Sequence, residues 1–229
     1  RFGNRLEQYQ RLYESCAHHF GQLPPDAQLS VAAHSLRAVS ADILNTLDKE
    51  YADHSLHIHI AEQIKEVEEI TAVYGLRPVE WLLQNQDVSP RWCLIHATNM
   101  TASKTRALAQ TGATVGLCPI IEANLGDGVF NGKNWLKEGG KFGIGTDSNI
   151  KISLFEELRT LEYSQRLKYR KRIVLQQNNS VSIGRDLIEL ILHGGQFASG
   201  RKTGKIKVGF WADILALDLT SFNYSLLSD

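Results

Sequence analysis

His57-Ile58-His59-Ile60-Ala61-Glu62-Gln63 is the stretch whose reading decides the fold. From Ser55 the residues alternate or run apolar, as a strand does, and Lys65, Glu66, Glu68 and Glu69 follow at once in a helical pattern. A strand passing straight into a helix is half of a parallel βα unit. The chemistry lies at the junction. His59 closes the strand, and Glu62, three residues on, is expected on the first helical turn facing the same opening. That spacing brings a metal ligand and a proton shuttle to one pocket. Alone, a His-x-x-Glu match is weak, because a polar helix start explains most such matches. Here it gains weight, since four other strands end in equally reactive residues.

Working outward, short apolar strands are expected at 28–33, 92–95, 113–117 and 142–146, ending in His34, His96, Cys118 and Asp147. Amphipathic helices are expected over 4–19, 42–51, 62–74, 78–85, 102–110, 154–170 and 183–199, with a glycine-rich loop at 124–128. Two short strands close the chain, at 204–209 and 212–217. Strands alternating with helices predict a parallel α/β sheet. A doubly wound sheet gathers its ligands at one switch point, whereas a β/α barrel assembles chemistry around the whole carboxyl rim. Reactive residues at every strand end therefore select the barrel. The fold expected is the C-terminal part, about five βα units, of a TIM-like (β/α)8 barrel over residues 1–200. The remaining barrel units are expected ahead of Arg1.

Composition narrows the function classes. The chain has 229 residues, 43% hydrophobic and 22% charged, which is enough for one or two domains with a sizeable core. Its net charge is zero and its pI about 7.2, so neither nucleic acid nor an anionic membrane is an expected partner. Cys16, Cys93 and Cys118 are odd in number and lack Cys-x-x-Cys spacing, which argues against a disulfide framework and suits a reducing cytoplasm. No apolar run approaches the roughly 18 residues of a membrane span. The expected partner is a small-molecule substrate, and a homo-oligomer is left open.

His59, His96 and Asp147 at successive strand ends make a divalent-metal pocket, and Glu62 is placed to carry protons there. Any one of these alone is more often a cap or a satisfied core residue; all of them together at strand ends are not. His57 shares a strand face with His59 and is expected to lie deeper, hydrogen-bonded in the core. His18, His19, His54 and His193 read as surface residues, and Lys168, Arg170, Lys171 and Arg172 as a solvated helix end. Gly126 and Gly128 form no phosphate loop, because no Gly-Lys-Ser/Thr follows.

Several motifs together resemble the formimidoylglutamate deiminases, aminohydrolases of the amidohydrolase superfamily. They are residues 57–63 with Glu66-Val67, residues 92–98 (Trp92 to Thr98), residues 122–128 (Glu122 to Gly128), Gly145-Thr146-Asp147-Ser148 and His34-Ser35-Leu36-Arg37. The resemblance runs over nearly the whole chain and implies a metal-dependent hydrolase barrel over residues 1–200, with residues 201–229 as part of a small β domain. It implies one Zn2+ per active site, another divalent metal being allowed, with His59 and Asp147 as ligands. It makes Glu62 the proton shuttle and sets His96 beside the attacking water, so that Glu62, His96 and Asp147 are catalytic. His34 and Arg37 would hold a substrate carboxylate, for which a guanidinium offers a bidentate fork. Two further zinc histidines are expected from a His-x-His strand that this chain does not contain. Ile120-Ile121 stands where a hydroxyl residue is expected. The implied reaction is hydrolysis of N-formimidoyl-L-glutamate in histidine degradation. The alternatives are another aminohydrolase acting on a heterocycle such as guanine, and a truncated, non-catalytic scaffold.

Overall fold

The computed structural model describes residues 3–149, 151–177 and 182–216. Helix α1 (Leu6–Phe20) precedes the sheet; β1 (Val31–Ser35) leads into α2 (Ala41–Glu50), and β2 (Leu56–Ile60) into α3 (Ile64–Tyr74) and α4 (Pro78–Asn85). Strand β3 (Trp92–His96) precedes α5 (Ala102–Gln110), and β4 (Thr114–Leu117) precedes α6 (Pro119–Leu125) and α7 (Gly132–Lys137). Finally β5 (Lys141–Ile144) is followed by α8 (Leu154–Tyr169) and α9 (Ile183–Ser199). All neighbouring strands pair in parallel, in the order β1-β2-β3-β4-β5. Strands that never reverse their spatial order leave no switch point. They form an arc of barrel wall.

The sequence builds these pieces locally. Ser40, Thr101 and Ser153 cap α2, α5 and α8 by accepting from the backbone N–H three residues on. Pro78 and Pro119 open α4 and α6, where a missing N–H costs nothing. Leu56, Ile58, Ile60, Leu94, Val115, Leu117 and Phe142 are buried and form the core with Leu44, Leu82, Leu108 and Trp135 from the helices. Helix α9 lies directly on β5: a Cβ at Gly194 would fall 1.9 Å from the Phe142 carbonyl oxygen, so only glycine permits this approach. The end of α9 reaches β2, where His57 Nε2 donates to the Ala198 carbonyl at 2.9 Å.

Several local expectations change. Glu62 is not in the first turn of α3, which begins at Ile64 with Gln63 as its N-cap. The Ala61 backbone is left-handed (φ 50°), and the buried Glu66 carboxylate holds the 61 and 62 N–H groups, keeping Glu62 in the strand-to-helix loop. Residues 124–125 are helical, because Pro119 starts α6 ahead of the glycines and Gly126 (φ 73°) ends it. Strand β1 begins later than expected and runs past His34. His54 is half-buried, bridging Tyr13 Oη at 2.9 Å and the Leu29 carbonyl at 2.9 Å. Residues 204–209 and 212–216 form no strand, and Ile206 and Val208 are 97% and 99% exposed. Isolated segments with no paired edge do not make a ladder. Leu217 lies outside the described residues.

Candidate active site

The carboxyl ends of the strands carry strain. Among the described residues, non-glycine left-handed backbone occurs at His34 (φ 56°), Ala61 (φ 50°), His96 (φ 69°), Ala97 (φ 49°), Asp147 (φ 51°) and Arg170 (φ 53°). All but Arg170 lie at or just beyond a strand end. Register shows what the strain achieves at His96. Ile60 pairs with His96 and His59 with Ile95, so strand parity would send the His96 ring to the buried Ile60 side. Its left-handed backbone turns it instead to stack on His59, centroids 5.8 Å apart. At His34 the device is a bulge: Ala32 pairs with His57 but Ser35 with His59, which leaves one extra residue on β1.

Each imidazole is fixed from behind. His59 Nδ1 donates to the His34 carbonyl at 2.8 Å, and His96 Nδ1 donates to Glu122 Oε1 at 3.2 Å. Both Nε2 atoms are thereby left for the pocket, the arrangement by which outer partners set a metal-ligand or catalytic tautomer. His96 is fully buried, and its Nε2 has no hydrogen-bond partner. Asp147 Oδ2 lies 3.6 Å from that nitrogen and Glu62 Oε1 lies 3.9 Å from it. Burial pulls the His96 pKa down, but the Glu122 bond and charge, with Glu62 and Asp147 behind them, outweigh it and leave the ring more basic than usual.

The donor set suits a divalent metal: imidazole nitrogen, carboxylate oxygen and a buried orphan nitrogen aimed at the same space. His96, Cys118 and Asp147 bring their ligand atoms within 4.8 Å of one another. Cys118 is the odd member. Burial first, then the Glu122, Asp147 and Glu157 carboxylates, push its thiol far above the usual range. His59 is outside that tight group and borders it through His96, while its ring also lies 5.3 Å from that of His34, centroid to centroid.

The structure thus brings Glu62, His96 and Asp147 together, with His59 and His34 alongside. Arg37 is not brought in. Its Nη1 points to Glu69 Oε2 on α3, 3.9 Å away. Glu122 is a residue that reasoning from strand ends alone overlooks, since it lies within α6 rather than on a strand. Its signal was a lone carboxylate amid apolar helix residues, and it is only 4% exposed. Glu66 likewise reads as one of a run of surface acids, yet it is fully buried and accepts from the Ala61 and Glu62 N–H groups at 2.9 Å each.

Residues 9–228 match the amidohydrolase family. The chain belongs to that family. Among relatives of this amidohydrolase chain is the formimidoylglutamate deiminase of Pseudomonas aeruginosa, 47% identical over 191 residues, covering 83% of the chain and 42% of the relative. The 5-methylthioadenosine/S-adenosylhomocysteine deaminase 2 of Archaeoglobus fulgidus is 30% identical over 198 residues, 84% of the chain and 45% of that protein. The chain spans less than half the length of these curated relatives. The crystal structure of an amidohydrolase from Brucella melitensis superposes with a TM-score of 0.84 at 52% identity, over 87% of the chain and 44% of that structure. An adenosine deaminase from Xanthomonas campestris with bound zinc also gives 0.84, at 23% identity over 97% of the chain and 51% of its own; it shows the shared fold. The arc of five parallel strands is thus an amidohydrolase barrel segment.

Proposed function

We propose that the protein carrying this chain hydrolyses N-formimidoyl-L-glutamate to N-formyl-L-glutamate and ammonia. The observation that carries this reading is His96, held by Glu122 with its free Nε2 between Glu62 and Asp147. The 47% identity to a formimidoylglutamate deiminase supports this substrate over others. His59 and Asp147 would hold the metal, for which zinc is the best match to these donors. A bound zinc ion supplies a water that ionises near neutral pH, and it polarises the C=N carbon. In the reaction, water adds to the formimidoyl carbon, the bond from that carbon to the terminal nitrogen breaks, and the nitrogen leaves as ammonia. Glu62 takes a proton from the attacking water and delivers it to the departing nitrogen. His96 orients that water through Nε2. His34 and Arg37 hold a substrate carboxylate. For Arg37 this requires release from Glu69, which costs little because both partners are partly exposed.

The orientation of Arg37 towards Glu69 is what favours the runner-up, an aminohydrolase acting on a heterocyclic base, which needs no guanidinium. We place the protein in the cytoplasm, a reading supported by Cys16, Cys93 and Cys118, all free thiols. Residues 201–229 are read as part of a separate small domain, supported by the exposure of Ile206 and Val208. The test of function is ammonia release from formimidoylglutamate by the zinc-loaded protein, against guanine and 5-methylthioadenosine as rivals. Glu62→Gln should keep its zinc and lose roughly 10²–10⁴-fold in kcat. Faster turnover of a heterocycle than of formimidoylglutamate would refute the substrate. A fully active Glu62→Gln would refute the shuttle.

A further inference from the structure

The Glu62 peptide is gripped at both ends. Its N–H donates to Glu66 Oε2 at 2.9 Å, and its carbonyl accepts from Asn99 Nδ2 at 2.6 Å. Asn99 sits just beyond β3 and does more than this. Its own N–H donates to the Ala61 carbonyl at 2.9 Å, and its carbonyl accepts from Arg77 Nη2 at 2.8 Å. The same Nδ2 also donates to the Asp127 carbonyl at 3.2 Å. One side chain therefore ties together the loops that follow β2, β3 and β4.

The third of these loops is packed onto Asn99. A Cβ at Gly128 (φ 118°) would stand 3.8 Å from Asn99 Oδ1 and 3.7 Å from Thr98 Cγ2, so the chain passes in van der Waals contact. Asp127 is only 6% exposed and its Oδ2 has no hydrogen-bond partner. Ala61 is left-handed, so the peptide before Glu62 is held in a conformation that an unsupported alanine disfavours. Such a conformation persists only where the surroundings over-determine it. The fixings of this peptide are the Glu66 carboxylate and Asn99.

We infer that Asn99 is a positioning residue: it fixes the Glu62 shuttle in the pocket and couples it to the 126–128 loop. The inference rests on the proposed role of Glu62. Asn99 does not itself reach the reacting atoms. It acts through a backbone carbonyl, so its loss moves the Glu62 carboxylate without removing it, and misplacement by about 1 Å can cost about 10²-fold in rate.

Asn99→Asp tests this, because it keeps the shape and the backbone bonds but cannot donate to the Glu62 and Asp127 carbonyls. In the zinc-loaded protein, kcat for formimidoylglutamate should fall about 10²-fold with KM within about twofold. In a Glu62→Gln background the same change should cost almost nothing further, since two residues acting through one group are not additive. Amide hydrogen exchange at Ala61 and Glu62 should quicken about tenfold in Asn99→Asp, with exchange in β3 and β4 unchanged. Equal losses in both backgrounds, or unchanged exchange at these two amides, would overturn the inference. If the parent turns over no formimidoyl substrate, the proposed function fails by itself, and the exchange measurement still decides whether Asn99 holds the Glu62 peptide.

Discussion

Replacing Glu122 by leucine should damage stability more than any change of an exposed acid in this chain. The carboxylate is 4% exposed, and its Oε1 accepts from His96 Nδ1 at 3.2 Å and from the Cys118 N–H at 2.9 Å. Deleting the acceptor leaves the buried His96 Nδ1–H without a partner, at about 1–3 kcal/mol. The Cys118 N–H, orphaned as well, adds about 1–3 kcal/mol. The site opens on a rim that water can reach through the 31% exposed Asp147 side chain, so the sum of the two, about 2–6 kcal/mol, is taken in its lower half, at about 3 kcal/mol. For a chain of this size that lowers Tm by about 6–12 °C. Glu122→Gln keeps a carbonyl acceptor and should lose less than half as much. The assay is thermal unfolding followed by circular dichroism, with imidazole nitrogen NMR to read the His96 tautomer. The proton should sit on Nδ1 in the parent and lose that preference in Glu122→Leu. A leucine variant within about 0.5 kcal/mol of the parent, the range of ordinary surface changes, would refute the reasoning.

Two further outcomes follow from side chains on either side of the sheet. Burial lowers the pKa of His57 and its bond to the Ala198 carbonyl offsets this in part, so its folded value lies below the unfolded one. The stability it contributes is whole above the unfolded value, about 6.5, and is lost as pH falls through the folded value. Denaturant midpoints taken at about pH 7 and about pH 5 should drop further in the parent than in His57→Gln, and equal drops would remove His57 as a cause. Arg37→Met should raise KM for formimidoylglutamate by roughly 10²-fold, the equivalent of about 3 kcal/mol for an unpaired carboxylate, yet change stability by less than about 0.5 kcal/mol. An unchanged KM would leave Arg37 as no more than the partner of Glu69.

What was legible in the sequence were features that repeat along the chain. Five apolar runs, each ending in a reactive residue, carried the parallel sheet and the residues at its rim, and His57 was read as lying deeper because only His59 closes the strand. Two kinds of feature escaped. Backbone handedness at Ala61 and His96 is not encoded in any residue type; it comes from tertiary hydrogen bonds, and it moved Glu62 out of the helix and turned His96 across the sheet. Buried acids were the other kind. Glu66 looks like one of a run of surface charges and Glu122 falls where no helix was expected, and only the packed structure shows what they accept from. The terminal segments at 204–216 read as strands because Ile206 and Val208 alternate with lysines, but alternation makes a strand only where an edge receives it.

The strain at the rim and the buried acids answer one requirement. A strand delivers side chains alternately to two faces, so regular strands bring to the pocket only residues of the correct parity. His59 has that parity; His96 does not, and the left-handed backbone at 69° corrects it. Each such correction costs of order 1–3 kcal/mol and exposes a peptide N–H that the sheet no longer uses. Glu66 accepts two such groups beyond β2, at Ala61 and Glu62, while Glu122 accepts the N–H of Cys118, the N-cap of α6 beyond β4. A neutral acceptor would satisfy the same N–H groups less strongly, because hydrogen bonds to a charged acceptor are roughly twice as strong. The choice of carboxylates has a second effect at Glu122, where the same oxygen that accepts from the strand-end peptide also fixes the His96 ring. The group that accepts from the peptide beyond β4 is therefore the group that directs His96 Nε2 into the pocket, and the two contacts cannot be removed separately by any change that deletes the acceptor.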